Sequence, residues 1–295
     1  MGGVPCTTLA VGSGRTMITK AIIPVAGLGT RLRPITSAIP KAMLPLVDGR
    51  GRVRTVLHCI LAEASAAGVL AAGLVVSPGQ ERLVEHYLAV ARELGADDLP
   101  CRIEYISQPK ARGFGDAVLR ADKFVAREDA FMLMLGDHVY IAEPGGLACA
   151  AQVAAASDRF GGAAMVGMQE VGPQELSRVG VARGEPIGEG VYTCTDFLEK
   201  PGLATARRRL STPGLGDDRF LAHCGVYVFS QAIFDCLKAL KSHGSRGGEL
   251  ELAAAQAMLL ERHPRDYRLL RIAGRAYDVG TPAGYADAFK RFSVV

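Results

Sequence analysis

Residues 20–45, KAIIPVAGLGTRLRPITSAIPKAMLP, predict both how the fold begins and what kind of site it carries. The apolar run Ala21 to Val25 has the composition of a buried strand, and it leads directly into a loop that contains Gly27 and Gly29. Glycines let backbone N–H groups approach phosphate oxygens closely, and nearby cations neutralise such oxygens. The cations that follow the glycines are Arg31, Arg33 and Lys41. The segment therefore predicts a phosphate-binding loop.

This loop matches neither of two common phosphate-binding patterns. Lys41 lies too far beyond the glycines for a P-loop. A dinucleotide-binding turn would have a third glycine, and Pro34 would interrupt the helix that carries the pyrophosphate in such folds. A strand followed by an ordinary glycine turn is the alternative interpretation, and the three cations favour phosphate binding over it.

Composition limits the class of protein. The chain has 295 residues, of which 49% are hydrophobic and 22% charged, and its net charge is +4. This length suits one large domain or two small ones, and a weak positive charge without a basic stripe argues against a nucleic-acid partner. No apolar run is long enough for a membrane span, so we expect no membrane partner.

The cysteines and the N-terminal residues complete this outline. None of the seven cysteines forms a Cys-x-x-Cys pair, so we expect no disulfide framework, no structural zinc site and a reducing cytoplasmic location. Residues 1–19 are glycine-rich and low in charge, and we expect a flexible N-terminal extension there. Residues 20–295 would then form a single domain.

Alternating strand and helix patterns in the first half predict an α/β fold with a doubly wound, mostly parallel, Rossmann-like mixed sheet and helices on both faces. The predicted strands are Ala21–Val25, Gly73–Val76, Arg102–Ser107 and Phe131–Leu135, and the predicted helices are Thr55–Ala67, Glu81–Leu94 and Phe114–Val125. Ligands of such sheets bind beyond the carboxyl ends of the strands. The glycine loop and Asp137 both fall there.

The second half is more mixed and predicts a smaller β-rich region that covers the ligand cleft. Its predicted strands are Ala163–Gly167, Val179–Arg183, Tyr192–Glu199, Gly225–Phe229 and Tyr267–Arg271, and its predicted helices are Gln231–Leu240 and Glu249–Arg262. Residues 200–219 are predicted to be a long surface loop. The two halves divide at about residue 145.

Two aspartates are candidate metal ligands. Asp137 follows Gly136 at the end of an apolar strand, and Asp278 follows a strand-like run and precedes a Gly/Pro turn. Mg²⁺ bound to a nucleotide usually takes one or two carboxylates and fills its other positions with phosphate oxygens and water. A turn aspartate that caps the next helix is the alternative for Asp137.

Two further segments carry polar groups at strand ends. Glu199 and Lys200 follow a predicted strand, where Glu can accept hydrogen bonds from hydroxyls and Lys can bind a phosphate, or both can simply be solvated. Gln108 could contact a base edge with its amide, and Gly113 would allow close approach of the backbone. Asp116 is expected to serve the start of a helix.

Taken in order along the chain, these motifs resemble those of the sugar nucleotidyltransferases, and most closely the bacterial UTP–glucose-1-phosphate uridylyltransferases. The resemblance runs from Lys20 to about Phe292. The segments that carry it are IPVAGLGTR (23–31), IPK (39–41), MLPLVD (43–48), GFGDAV (113–118), GD (136–137), VGV (179–181), EKP (199–201), GELEL (248–252) and DVG (278–280).

The resemblance implies a role for each matching residue. Ala26, Gly27, Gln108 and Gly113 would hold the nucleobase, whereas Gly29, Thr30 and Arg31 would surround the triphosphate. Lys41 would neutralise the α-phosphate, and Asp137 and Asp278 would bind Mg²⁺. Gly180, Glu199 and Gly225 would line the sugar pocket, with Lys200 on the sugar phosphate. Arg31, Lys41 and Lys200 would thus be the catalytic cations.

The activity implied is nucleotidyl transfer from a nucleoside triphosphate, UTP first, to a sugar 1-phosphate, glucose 1-phosphate first. A thymidylyltransferase or another base and sugar pairing is the alternative within the class, and a non-catalytic sensor of sugar nucleotides is the alternative outside it. A homodimer or tetramer is expected. The chain departs from the family pattern at Ala42, at residues 49–52 and at Ala253–Ala254, which bears on substrate choice and subunit contacts.

Overall fold

The computed structural model describes residues 18–242 and 248–294. Most of the expected N-terminal extension lies outside these residues, but its last two positions belong to the folded domain. Ile18 is buried, and the Thr19 carbonyl accepts hydrogen bonds from the amides of Leu70 and Ala71. The chain is therefore already paired and packed two residues before the first strand begins.

The described residues form strands β1 to β13 and helices α1 to α9. The strands are β1 Lys20–Pro24, β2 Pro45–Val47, β3 Val53–Thr55, β4 Ala71–Val76, β5 Arg102–Ser107, β6 Ala130–Met134, β7 His138–Ala142, β8 Ala164–Val171, β9 Gly180–Gly188, β10 Val191–Glu199, β11 Phe220–Ser230, β12 Tyr267–Arg271 and β13 Gly274–Asp278. The helices are α1 Val56–Ala66, α2 Gln80–Glu93, α3 Phe114–Arg120, α4 Asp122–Val125, α5 Cys149–Phe160, α6 Leu203–Arg209, α7 Ala232–Ser242, α8 Leu252–Arg262 and α9 Pro282–Phe292. Within these residues, every helix is too short or too polar to cross a bilayer.

One nine-stranded sheet runs through both halves of the chain in the order β5-β4-β1-β6-β11-β8-β12-β10-β9. The first four strands are parallel to one another, whereas β11 pairs antiparallel with β6 and β8 and also contacts β9. Two small antiparallel pairs, β13 with β7 and β2 with β3, lie outside this sheet. The predicted doubly wound α/β fold is confirmed.

Helices cover both faces of the sheet because its central strands are apolar on both sides. In β1, Ala21 and Ile23 pack into one core with residues of α1, α2 and α5, whereas Ile22 packs into a second core with residues of α3, α4, α7 and α8. This alternation is expected of a strand whose successive side chains point to opposite faces. A third, smaller core that includes Leu176, Val181 and Phe220 lies in the β-rich region.

The structure departs from the predicted elements in a few places. The predicted helix Phe114–Val125 is two helices that meet at Ala121, and the predicted loop 200–219 contains α6. This short helix lies between Pro201-Gly202 and Pro213-Gly214, which favour a loop in the sequence. Its arginines form ion pairs outside the helix, Arg207 with Asp218 and Arg209 with Asp196.

Gly136 brings the ends of β1 and β6 together. A Cβ on Gly136 would overlap the carbonyl oxygen of Pro24 and would lie 2.7 Å from Cγ1 of Val25. Because the position has no side chain, the loop after β6 packs directly against the loop after β1. This contact places Asp137 beside the glycine loop.

We predict that Gly136→Ala lowers the free energy of unfolding by about 2 kcal/mol, because the added methyl group forces two packed strand ends apart. Urea denaturation would measure the change. Gly202→Ala is the matched control, since nothing lies within 4 Å of a Cβ at Gly202, and it should stay within about 0.5 kcal/mol of the wild type. Equal stabilities of the Gly136→Ala variant and the control would contradict the close approach.

Candidate active site

A cleft of about 570 Å³ opens beside the carboxyl edge of the sheet, the edge at which β5, β4, β1 and β6 end. Its wall includes residues that follow β6, residues at the paired ends of β9 and β10, and the start of α9. Parallel strands direct their following loops to one edge, where ligands bind in open α/β sheets. Four of the predicted site residues line this cleft, namely Gly180, Glu199, Lys200 and Asp278.

The glycine loop offers unpaired backbone donors. Among the described residues, the amides of Gly27, Leu28 and Gly29 donate to no protein acceptor. The loop is nevertheless held in shape, because the Gly29 carbonyl accepts hydrogen bonds from the hydroxyl of Thr36 at 2.7 Å and the amide of Leu32 at 2.9 Å. Gly29 also has a φ of 60°, which disfavours other residues. Successive free amides in such a turn suit an anion.

Lys41 crosses from its own 3₁₀ turn, Lys41–Met43, to the loop after β6. Its Nζ lies 2.6 Å from Oδ2 of Asp137, and its side chain is only 16% exposed. A Cβ on Gly27 would lie 3.2 Å from Cε of Lys41, so the bare glycine leaves room for the lysine to pass. The predicted cation and the predicted metal ligand are therefore in direct contact.

Asp137, His138 and Asp278 form a compact group whose ligand atoms all lie within 4.8 Å of one another. Asp278 reaches the group because β13 pairs with β7, with Asp278 opposite His138. The Asp137 carbonyl accepts a 2.8 Å hydrogen bond from the Val279 amide. Position 280 has no room for a side chain, since a Cβ on Gly280 would lie 3.0 Å from Oδ2 of Asp137.

The charge state of Asp137 suits cation binding. Burial by itself would raise the pKa of this carboxyl, but the hydrogen bond from His138 and the charge of Lys41 hold the pKa well below its usual value. The group therefore stays ionised at neutral pH. The two carboxylates fit a hard divalent cation with several remaining positions for water or phosphate oxygens.

The residues predicted to hold a base lie where β4 and β5 end. Ala26 is buried, and its carbonyl accepts from the hydroxyl of Ser77 at 2.9 Å. Gln108 is also buried, and its Nε2 donates to the Gly113 carbonyl at 3.2 Å and to Asp116 at 3.0 Å. Nε2 of Gln108 therefore already forms hydrogen bonds within the protein, whereas Oε1 accepts no hydrogen bond from the described residues.

Gly113 is needed for contact with another segment of the chain. Its φ is 97°, and a Cβ would lie 2.5 Å from the carbonyl oxygen of Leu250. Hydrogen bonds from the Leu250 amide to the Arg112 carbonyl and from the Gly115 amide to the Leu250 carbonyl join the two segments. The glycine therefore lets the loop before α3 pack against residue 250, which is a different reason from close approach to a base.

The residues predicted to hold the sugar meet at the ends of β9 and β10. Gly180 and Glu199 are opposite each other in this pair, and Lys200 has a φ of 48° with its Nζ 3.5 Å from Oε1 of Glu199. Burial raises the pKa of the Glu199 carboxyl, and Lys200 offsets this only in part. All three residues line the cleft.

Gly225, Thr30 and Arg31 lie elsewhere. Gly225 lies one layer behind the wall at an irregularity of β11, and its carbonyl accepts from the Leu135 amide and the Tyr140 hydroxyl. Thr30 and Arg31 stand on an exposed 3₁₀ turn, Thr30–Leu32. Within the described part of the chain, the Arg31 side chain forms no hydrogen bond or ion pair, so it is available to a ligand.

Sequence reasoning missed several residues of the cleft. His138 belongs to the group with Asp137 and Asp278, and the signal was its place directly after Asp137. Tyr227 and His223 reach the wall from β11, and no motif marks them because their position depends on strand pairing.

The chain is similar to several known proteins. The family model described as nucleotidyl transferase matches residues 20–293. A UTP–glucose-1-phosphate uridylyltransferase of Bacillus subtilis is 30% identical over 285 residues, which covers 92% of this chain and 88% of that protein. The enzyme of that name from Mycoplasma pneumoniae is also 30% identical, covering 92% of this chain and 91% of its own. A solved UDP-glucose pyrophosphorylase complexed with UDP-glucose superposes with a TM-score of 0.75 at 25% identity, covering 94% of this chain and 98% of that one.

We predict that Asp278→Asn weakens the binding of Mn²⁺ at least tenfold, because one charged ligand of the compact group is lost. Electron paramagnetic resonance of free Mn²⁺ in a titration would measure the dissociation constant without any turnover. Asp287→Asn is the matched control, since Asp287 lines the same cleft but lies outside the group. Unchanged Mn²⁺ affinity in Asp278→Asn would remove Asp278 from the cation site.

Proposed function

This chain belongs to the nucleotidyl transferase family, and from that premise we propose that it transfers a uridylyl group from UTP to glucose 1-phosphate, giving UDP-glucose and pyrophosphate. One observation carries the proposal. Glu199, Lys200 and Asp278 line one cleft. The Asp278 carboxylate lies within 4.8 Å of the Asp137 carboxylate. Asp137 in turn pairs with Lys41 beside the glycine loop. Two anionic substrates could therefore meet there.

In this proposal the triphosphate lies over the glycine loop. The amides of Gly27 to Gly29 and the Thr30 hydroxyl bind its oxygens, and Arg31 binds the pyrophosphate that departs. Lys41 neutralises the α-phosphate. Asp137 and Asp278 would hold Mg²⁺, which supplies charge neutralisation and orientation to phosphate oxygens when bound. Each of these groups acts by position and charge.

The base would lie against Ala26 and Gly27, near Gln108 and Gly113. Because Nε2 of Gln108 is used within the protein, its Oε1 is the atom left to accept a hydrogen bond from the N3–H of a pyrimidine. Uracil and thymine both have this N–H. Thymidylyl transfer therefore stays the alternative within the class, and the names of the relatives favour uridylyl transfer.

The sugar 1-phosphate would enter from the β9 and β10 side. Glu199 and the space over Gly180 receive sugar hydroxyls, Gly225 supports the wall behind them, and Lys200 holds the phosphate. This assigns nucleotide binding to residues of about 20–145 and sugar binding to residues of about 146–295.

The reaction needs no covalent intermediate with the protein. An oxygen of the sugar phosphate forms a bond to the α-phosphorus, and the bond from that phosphorus to the bridging oxygen of the β-phosphate breaks in line. The attacking phosphate is already ionised at neutral pH, so no side chain has to remove a proton. Bringing two anions together is the main difficulty, and the cations and the alignment of the substrates address it.

Two further parts of the proposal concern the cell and the assembly. Cys149, Cys194 and Cys224 are buried free thiols, which suits a reducing cytoplasm. Assembly into a homodimer or tetramer stays a prediction.

Pyrophosphate release from a panel of nucleoside triphosphates crossed with sugar 1-phosphates tests the proposal. We expect the highest kcat/KM for UTP with glucose 1-phosphate, with release dependent on added Mg²⁺. A higher value with the thymidine nucleotide would favour the other base. No release with any pair, together with tight binding of UDP-glucose, would favour a sensor and end the enzymatic proposal.

We predict that Lys200→Ala raises the KM for glucose 1-phosphate about tenfold or more and leaves the dissociation constant of UTP nearly unchanged, because only the sugar phosphate loses a cation. Steady-state kinetics and calorimetric titration with UTP would measure both. Lys238→Ala is the matched control, since Lys238 pairs with Asp122 away from the cleft. Equal losses for the two substrates would contradict this assignment.

A further inference from the structure

His223 stands in the cleft wall with its ring held in one orientation. It lies on β11 and lines the cleft beside Glu199. The ring stacks on Phe197, with centroids 4.7 Å apart and planes 7° apart, and the edge of Tyr227 meets it at 5.8 Å. Two aromatic contacts fix the plane of the ring and therefore the direction of both ring nitrogens.

The two ring nitrogens have different surroundings. Nε2 is excluded from solvent and has no hydrogen-bond partner within the described residues. Burial lowers the pKa of His223 to about 4, so the ring is neutral at pH 7 and carries one N–H. A buried N–H group without an acceptor is less favourable in free energy than a buried ring nitrogen without a donor. Because Nε2 has no partner, the proton belongs on Nδ1.

Nδ1 of His223 and Oε2 of Glu199 both pack close to Gly180. An ideal Cβ on Gly180 would lie 2.8 Å from Oε2 of Glu199, 2.9 Å from Cε2 of Phe197 and 3.4 Å from Nδ1 of His223, so only glycine lets the two groups come this close. Because His223 and Glu199 also line the cleft, a carboxylate oxygen and a ring N–H lie near one point of its wall. A hydroxyl group can donate to the first and accept from the second, which neither an ether nor a bare carbon can do.

We propose that His223 is a specificity-determining residue that, together with Glu199, binds one hydroxyl of the sugar over Gly180. The substrate class that follows is a sugar 1-phosphate with a free hydroxyl at that position. Sugars with a hydrogen, an alkoxy group or an acylamino group there are rejected, because the carboxylate and the ring N–H then lose a partner in a partly buried site. This inference rests on the proposed function for the identity of the pocket.

A purely structural role makes a different prediction. If His223 only packs against Phe197, then His223→Phe keeps the stacked ring and discrimination among sugars does not change. If its N–H binds a hydroxyl, His223→Phe and His223→Val both lose discrimination, whereas His223→Asn retains much of it. The Asn side chain can place an N–H close to where Nδ1 lies.

The test measures kcat/KM for glucose 1-phosphate and for its 2-, 3-, 4- and 6-deoxy and deoxyfluoro analogues. In the wild-type protein, we expect removal of one particular hydroxyl to reduce kcat/KM about a hundredfold, and removal of the others to cost much less. In His223→Phe, the ratio of kcat/KM for glucose 1-phosphate to kcat/KM for the deoxy analogue at that one position should be about tenfold smaller. The deoxyfluoro analogue at that position should have a higher kcat/KM than the deoxy analogue only in proteins that keep the N–H of residue 223. Fluorine accepts a weak hydrogen bond from that N–H but cannot donate one to Glu199.

His86→Val is the matched control for His223→Val, since His86 is an exposed histidine of α2 outside the cleft. It should reproduce the wild-type ratios at every position. Should His223→Val not fold, His223→Phe and His223→Asn give the same comparison. Ratios that are unchanged in the loss variants at every position would overturn the inference.

Failure of the proposed function is distinguishable from failure of this inference. Absence of turnover in the wild-type protein with every substrate pair would count against the first alone. Calorimetric titration with UDP-glucose and its deoxy analogues then measures discrimination among the sugars as ratios of dissociation constants. A position-specific loss of discrimination in His223→Phe would support the inference, and equal ratios in the two proteins, or no binding at all, would overturn it.

Discussion

The contact between Lys41 and Asp137 is the interaction on which the site depends. It joins two loops that are 96 residues apart in sequence, at 2.6 Å and with little exposure. Charges held away from water need a partner, so each neutralises the other in the ligand-free protein. Gly27 and Gly280 give the two side chains the room to meet. In the proposed reaction, a triphosphate and a divalent cation arrive together and provide each of the two charges with a new partner.

Much of the fold is predictable from local pattern. Arg102–Ser107 and Tyr267–Arg271 agree with the predicted strands to the residue, because apolar content, length and flanking turns all indicate the same state. The helix α5 and the strand β7 were missed. The run that ends at Asp278 was recognised as strand-like, but its pairing with β7 could not be predicted from local pattern because the partner is distant in sequence.

The residues of the candidate site also differ in how far they could be predicted from sequence. Residues in local motifs, such as Gly29, Lys41 and Asp137, were found from sequence because loops after parallel strands share one edge. Gly113 was predicted for close approach to a base, and the structure adds that its missing side chain serves the contact with Leu250. Gly225 was predicted to line the sugar pocket, but it is not among the residues that line the cleft, whereas its neighbour Leu135 is. His223 could not be found, since its neighbours Phe197 and Gly180 come from other strands.

The two ends of the cleft therefore differ in how their chemistry can vary. At the phosphate end, loops supply backbone amides and one crossed ion pair, so most substitutions there disturb several contacts at once. At the proposed sugar end, side chains on β10 and β11 meet over Gly180 of β9, and both strands pair with β9. In the proposed site, a change at position 223 alters which hydroxyl pattern is accepted while Lys41, Asp137 and Asp278 keep their geometry. The proposal therefore lets the same phosphate chemistry serve different sugars, with the choice made by side chains whose backbone belongs to a different part of the sheet.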